Sequence, residues 1–315
     1  MDCHSERSEE STWIHPSARA AGFFAAFRMT NWLLTALAIV VGARAADLRV
    51  VGTDLLGVEF SKALYAFAVG ADLRLALALD GSRPGLDELK AGRADLGLFV
   101  FAPGEEAGAE GFERRTVAYH RVVVLAPSAL PLDQLTLDQI DGIFGAGAPL
   151  RLSVWGDLGL GGAWAVSHIQ PHVPAVGTGL APEFFRHAVL HDRALKTGVV
   201  RYDRPADLAS VLDGDSRAIA IAPVSPGSNV GAKLLAVAVR AGGPAFLPTL
   251  ENLHSGDYPL RLPVAVFFRR GLSPSLLPLL RFLFSDEVAP HFERAELAPL
   301  PPAARRQQLL ALEKP

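Results

Sequence analysis

The residues best suited to chemistry in this chain are hydroxyls beside glycines, each just ahead of a helical stretch. Gly177-Thr178-Gly179 precedes residues 182–190, which open with Pro182 and read as a helix. Proline suits a first helical turn, where its missing N–H would have no partner. Gly52-Thr53-Asp54 leads into a second helical stretch beginning at Leu55, and Gly81-Ser82-Arg83 into a third. The first amides of a helix lack internal acceptors and carry partial positive charge. Neighbouring glycines let a ligand approach that backbone closely. Each corner is thus a candidate anion site, and three of them can converge on one small anion. The bland alternative is that Thr53, Ser82 and Thr178 are N-caps of their own helices.

Other constellations point less sharply. His187 and His191 stand four apart with Glu183 one turn earlier, a spacing that can hold a metal. A solvated helix face is the expectation there, and His168 and His172 are separated by Pro171, which disfavours a helix. Trp155 and Trp164 are expected to pack rather than to stack on a ligand, and Arg269-Arg270 and Arg305-Arg306 to be solvated basic pairs. The chain has no G-x-S-x-G elbow, no P-loop and no complete G-x-G-x-x-G. The one nucleophile–base pairing to name is Ser82 or Thr178 with His172. No catalytic residue, metal or cofactor is therefore expected, and the protein is not expected to be an enzyme.

Composition narrows the class. With 315 residues, 50% hydrophobic and 20% charged, the chain has material for two domains with real cores. A net charge of −3 gives no reason to expect nucleic acid as a partner. The apolar run at 32–41 is too short to span a bilayer and precedes Ala43-Arg44-Ala45, a small-x-small cleavage pattern. Residues 29–45 therefore read as a signal peptide cleaved near Ala45, leaving a periplasmic chain with no stable membrane insertion. Residues 1–28 fit neither signal nor domain and are expected to be disordered. Met29, the only methionine besides Met1, stands directly before the signal and is the expected true start. The stretch HSERSEES at 4–11 is similar to a translated bacterial intergenic repeat. The single cysteine, Cys3, lies in that segment, so the mature chain has no disulfide or thiol ligand.

The elements that must position the corners follow from patterning. Strands are expected at 47–52, 73–79, 94–101 and 116–126, alternating with helices at 55–69 and 85–91. Such β-α-β-α-β order argues for a mostly parallel, helix-covered sheet. Residues 127–131 (PSALP) read as a crossover to a second lobe. That lobe has a helix at 136–144 capped by Thr136 and closed by Gly145, the helix after Thr178, a helix at 205–212, and strands at 218–222 and 234–239. A Gly/Pro break at 242–248 precedes a strand at 262–268, a helix at 274–283 and its continuation at 287–294. The expected organisation is one lobe from 46–126 and 249–315 and a second from 127–248, with a ligand cleft between them.

These pieces, in this order, resemble the periplasmic phosphate-binding proteins of ABC importers, a branch of the type 2 periplasmic binding proteins. The matching stretches are VGTD at 51–54, GSRPGLDEL at 81–89, GRADLG at 92–97, LTLDQIDGIFG at 135–145, WGDLG at 155–159 and the segment 177–185. IAIAP at 219–223, PTLENLHSGDYPL at 248–260, FLFSDE at 282–287 and LAPLPP at 297–302 complete the set. The resemblance implies an α/β fold of two hinged lobes, with mixed, mostly parallel sheets, closing on an oxyanion. It also implies a permease partner and a monomeric protein. Thr53, Asp54 and Leu55 fall at its first anion-binding corner, Gly81, Ser82 and Arg83 at its second, and Gly177, Thr178 and Gly179 at its third. Where the family carries an acceptor Asp this chain has Val100, and where it carries an Arg this chain has His172. Val176 replaces the serine of the third corner. A neutral histidine cannot supply the bidentate, charged contact of an arginine. The expected function is solute binding for import, with phosphate the family default; a sensor or scaffold with a degenerate cleft is the alternative.

Overall fold

A computed structural model describes residues 47–102, 110–175, 179–224, 231–271 and 273–313. The expected signal peptide, Met29 start and disordered leader lie outside them, as do Val176, Gly177 and Thr178. The chain begins β1 (Asp47–Gly52), α1 (Gly57–Gly70), β2 (Arg74–Ala78), α2 (Ser82–Lys90), β3 (Leu96–Val100) and β4 (Phe112–Arg121). It continues with β5 (Val123–Pro127), β6 (Gln134–Thr136), α3 (Leu137–Phe144), β7 (Gln170–Pro174), α4 (Ala181–Ala188), β8 (Val200–Tyr202), α5 (Pro205–Gly214) and β9 (Ala218–Ala222). Next come β10 (Ala232–Ala238), β11 (Ala245–Phe246), α6 (Leu250–Ser255) and β12 (Arg261–Arg269). The last elements are α7 (Leu277–Leu283), α8 (Ala289–Arg294), β13 (Ala298–Pro299) and α9 (Pro302–Leu312).

Among the described residues the strands form two mixed sheets. One has the order β13-β4-β12-β3-β1-β2, the other β11-β10-β5-β9-β7-β8 with β6 also on β10. Parallel ladders join β1 to β2 and β3, and β7 to β8 and β9. The β12 and β5 ladders are antiparallel, a larger antiparallel share than expected. Alternation divides the core. On β3, Leu96 and Leu98 join the main cluster while Phe99 packs with Leu86 and Leu89 of α2. On β9, Ile219 and Ile221 join the main cluster while Ala218 and Ala220 face Leu208 and Leu212 of α5. Strands buried on both faces read as unbroken apolar runs, which is why these were legible.

Three expectations need correction. The single strand expected at 116–126 is two strands in different sheets. The switch falls at Val122, whose N–H donates to Leu260 O at 3.0 Å and whose carbonyl accepts from the Tyr258 hydroxyl at 2.7 Å. The chain stays extended there and merely changes partner, so no turn residue marks the break, and the change of sheet comes before the expected crossover at 127–131. Secondly, Arg305 is not solvated. It is 7% exposed, with its guanidinium donating to Asp286 Oδ1 at 2.5 Å and to Leu300 O. Lastly, α4 ends at Ala188, so His191, at φ 50, is outside the helix and does not share its face with His187.

Candidate ligand cleft

The first two corners interlock over the ends of β1 and β3. Gly81 N–H donates to Gly52 O and Thr53 N–H to Leu98 O, both at 2.8 Å. A Cβ on Gly52 would sit 2.2 Å from Leu98 O, and one on Gly85 would sit 3.0 Å from Gly52 N. Only glycine permits such backbone approach. Thr53 is buried and caps the 3-10 turn Asp54–Leu56, its Oγ1 accepting from Leu55 N at 3.3 Å. Ser82 is not a cap. It stands inside α2, with Gly81 at the cap position, and its Oγ accepts from Val100 N at 2.9 Å. Each hydroxyl gives a lone pair to a backbone N–H and keeps its own proton to donate.

Between the two sheets lies a cavity of about 450 Å³. Asp54 and Leu55 line it from the first corner, and Gly179, Leu180 and Ala181 from the start of α4. His120 from β4, Tyr202 at the end of β8 with Asp203 after it, and the segment from Arg294 to Leu297 complete most of the wall. Leu180 also faces a second cavity of about 250 Å³, whose apolar part is Val100, Ala102, Phe184 and Leu262. Val100 therefore contributes no polar group to either space.

Electrostatically the larger cavity is mixed. Asp54, Asp203 and Glu296 face Arg294, whose Nη1 lies 3.0 Å from His291 Nδ1. Burial holds the Glu296 carboxyl above its usual range, partly offset by the Arg121 guanidinium. His120 is 5% exposed, and its Nε2 has no partner among the described residues. Burial, with a smaller contribution from Arg121, brings its pKa down to about 4, so the ring is neutral at pH 7. The Tyr202 hydroxyl is occupied in donating to Ile221 O at 2.7 Å, and burial pushes its pKa up.

Of the residues singled out in the sequence, Asp54, Leu55 and Gly179 line the cavity together. Thr53 lies directly behind Asp54, and Gly81 and Ser82 form the adjoining corner without lining the cavity. Arg83 does not reach into it; its guanidinium lies 6.0 Å above the Phe101 ring, over the α2 side of the sheet. His172 is buried in β7 and does not line the cavity; its Nε2 has no partner among the described residues, and burial lowers its pKa. Among the described residues no hydrogen bond joins it to Ser82. Trp155 is fully buried in the core and Trp164 packs against it. Sequence reasoning missed His120, Asp203, Arg294 and Glu296. They come from three separate parts of the chain, at the end of β4, after β8 and at the end of α8, and only the sheet topology joins them.

No family model matches this chain, and no curated protein matches it. Solved structures do. A possible phosphate-binding protein from Planctomyces limnophilus is 16% identical, with a TM-score of 0.64 over 86% of this chain and 99% of its own. PstS from Borrelia burgdorferi is 11% identical, with a TM-score of 0.68 over 82% and 99%. An ABC-type phosphate transport receptor from Vibrio cholerae is 14% identical, with a TM-score of 0.58 over 80% and 99%. The fold is therefore the two-lobed α/β architecture of periplasmic binding proteins. More narrowly, the match in fold is to the three structures just named.

Proposed function

We propose that this chain is an extracytoplasmic solute-binding protein that takes phosphate or a related small oxyanion between its two sheets and hands it to an ABC permease. The observation that carries the reading is the meeting, across one cavity, of the Asp54–Leu55 turn and the start of α4 at Gly179–Ala181. Both are helix starts, whose first amides lack internal acceptors and favour an anion nearby, although Leu55 N–H is already given to Thr53 Oγ1. Thr53 and Ser82, each accepting one backbone N–H, back this corner with hydroxyl protons although neither lines the cavity. The similarity of fold to phosphate-binding proteins supports the same reading. Export by a cleavable signal and a periplasmic location belong to this proposal, as does the absence of catalysis.

A specific observation favours an oxyanion other than phosphate. The positions expected to hold an acceptor carboxylate and a cation carry apolar Val100 and buried, neutral His172. The test is thermal denaturation of the full-length chain with phosphate, sulfate, arsenate, molybdate or small carboxylates. A native-state ligand at a hundredfold excess over Kd stabilises by about 2.7 kcal/mol, a rise of several degrees. One oxyanion should produce that rise. If none moves the midpoint at millimolar concentration, the cleft is degenerate and the sensor or scaffold reading replaces this one.

A further inference from the structure

Apart from the cleft, the seven-stranded sheet carries a cavity of about 400 Å³ between α4, the edge strand β8 and the segment 194–199. Of the residues lining the cleft, only Pro174 also lines this space. Its floor is the buried trio Val173, Phe185 and Ile221. Pro182, Leu195 and Val199 are half-buried and keep apolar surface open to it. The register of β7 with β8 sets Val173 opposite Arg201, and partners across a parallel ladder share a sheet face. That face is the one Val173 and Ile221 give to the main core. Arg201 thus stands where the neighbouring strands carry aliphatic side chains, and at the sheet edge it lines an apolar hollow while staying exposed.

The three cations on this wall differ in what they already hold. Arg186 lies 2.8 Å from Asp192 and 3.2 Å from Glu183. Lys196 Nζ donates to Gly142 O and, at 3.0 Å, to Leu152 O. Arg201 makes no hydrogen bond or ion pair among the described residues. A guanidinium offers a rigid fork of N–H donors that matches a carboxylate through two bonds. With one uncommitted guanidinium among the described residues, and Glu183 on the same wall, the charge suits a monoanion better than a phosphate dianion.

We propose that this cavity is a binding site separate from the cleft, for a small monocarboxylate with an aliphatic chain of about four to six carbons. The chain lies on Pro182, Leu195 and Val199, and the carboxylate takes the fork of Arg201, with the exposed Thr197 hydroxyl beside it on the same wall.

Calorimetric titration of the full-length chain with butanoate, hexanoate, 1-hexanol and hexylamine tests the assignment. Hexanoate should bind roughly tenfold more tightly than butanoate, because two further methylenes leave water. It should also bind at least about tenfold more tightly than hexanol, which fills the same space without the charge. Arg201→Gln, at an exposed position, should lower hexanoate affinity about tenfold and leave the melting temperature unchanged. Ala194→Trp, exposed on the same wall, should fill the hollow and remove hexanoate binding with Arg201 still in place. Absence of hexanoate binding, equal binding of hexanol or hexylamine, or hexanoate binding untouched by either variant overturns the assignment. The oxyanion reading stands or falls separately, since neither Arg201 nor Ala194 lines the cleft.

Discussion

The two walls of the cleft are built by opposite means. On the six-stranded sheet the corner is made by backbone contact: Gly52 touches Leu98, Gly81 bonds to Gly52, and Gly85 nests against both Gly52 and Phe99. Its hydroxyls are held by fixed amides and retain their protons. On the seven-stranded sheet the corresponding strand, β7, contains Pro171 and Pro174 and forgoes two ladder donors. Its neighbours take up the pairing, with Gln170 N–H donating to Arg217 O and Ala175 N–H to Tyr202 O, both at 2.9 Å. Gly179, at φ 132, has nothing within 4 Å of where a Cβ would stand. One wall is tightly locked, and the other has local space to adjust. Under the proposed binding role, that asymmetry suits a preformed anion corner met by an adaptable partner wall.

The largest effect should come from adding one methyl to each wall. Gly52→Ala drives a Cβ into Leu98 O and should cost roughly 3 kcal/mol, lowering the melting temperature by about 10 °C. Gly179→Ala meets no atom and pays only the positive φ, so about 1 kcal/mol is expected. Thermal denaturation of both variants decides the matter. Equal losses would mean that the first corner is no more rigid than the third.

A second contrast uses protons. His120 in the folded chain titrates near 4 against about 6.5 when unfolded, so the unfolded state binds more protons between those values. Stability from this residue is complete above about pH 6.5 and is lost as the pH falls toward 4, by about 3 kcal/mol in all. His172 adds a loss of the same sign, because burial lowers its pKa too. Denaturant midpoints at pH 7 and pH 5 should therefore separate in the parent chain. His120→Phe, which can keep the edge-on contact with Phe184, should reduce the separation by more than half. An unchanged slope would place the acid sensitivity elsewhere.

Legibility in the sequence followed the same physical division. Helix α3 was readable to within a residue because Thr136 and Gln139 form a reciprocal capping box and the apolar period is strong. Strands β3 and β9 were readable as apolar runs. Strand β7 was not, since prolines inside a strand argue against a central position. Arg305 gave no sign of burial, because a long stem can bury along its length only if a partner such as Asp286 waits at its end. The glycine–hydroxyl corners at Thr53 and Ser82 were legible through local backbone chemistry. Of the acidic wall only Asp54 was, because Asp203 and Glu296 come from distant segments and join it only once β8 and β13 are in place.

The smallest effect is the most discriminating, because it separates a threonine that only caps from one that also faces a ligand corner. Thr136 accepts from Gln139 N at 3.1 Å while its own N–H donates to Gln139 Oε1 at 2.9 Å, so its role is complete within α3. Thr53 makes one longer bond, 3.3 Å to Leu55 N, in a three-residue turn. As a cap it is the poorer of the two, and among the described residues its hydroxyl proton has no partner. Thr136→Val should cost about 1 kcal/mol in denaturant unfolding and leave anion affinity unchanged. Thr53→Val should cost less stability, about half as much, yet weaken anion binding roughly tenfold through loss of a donor. The order of the two variants therefore reverses between the unfolding curve and the titration. If Thr53→Val lost stability alone, its hydroxyl would be a cap like any other, and the first wall of the cleft would hold its anion by backbone amides only.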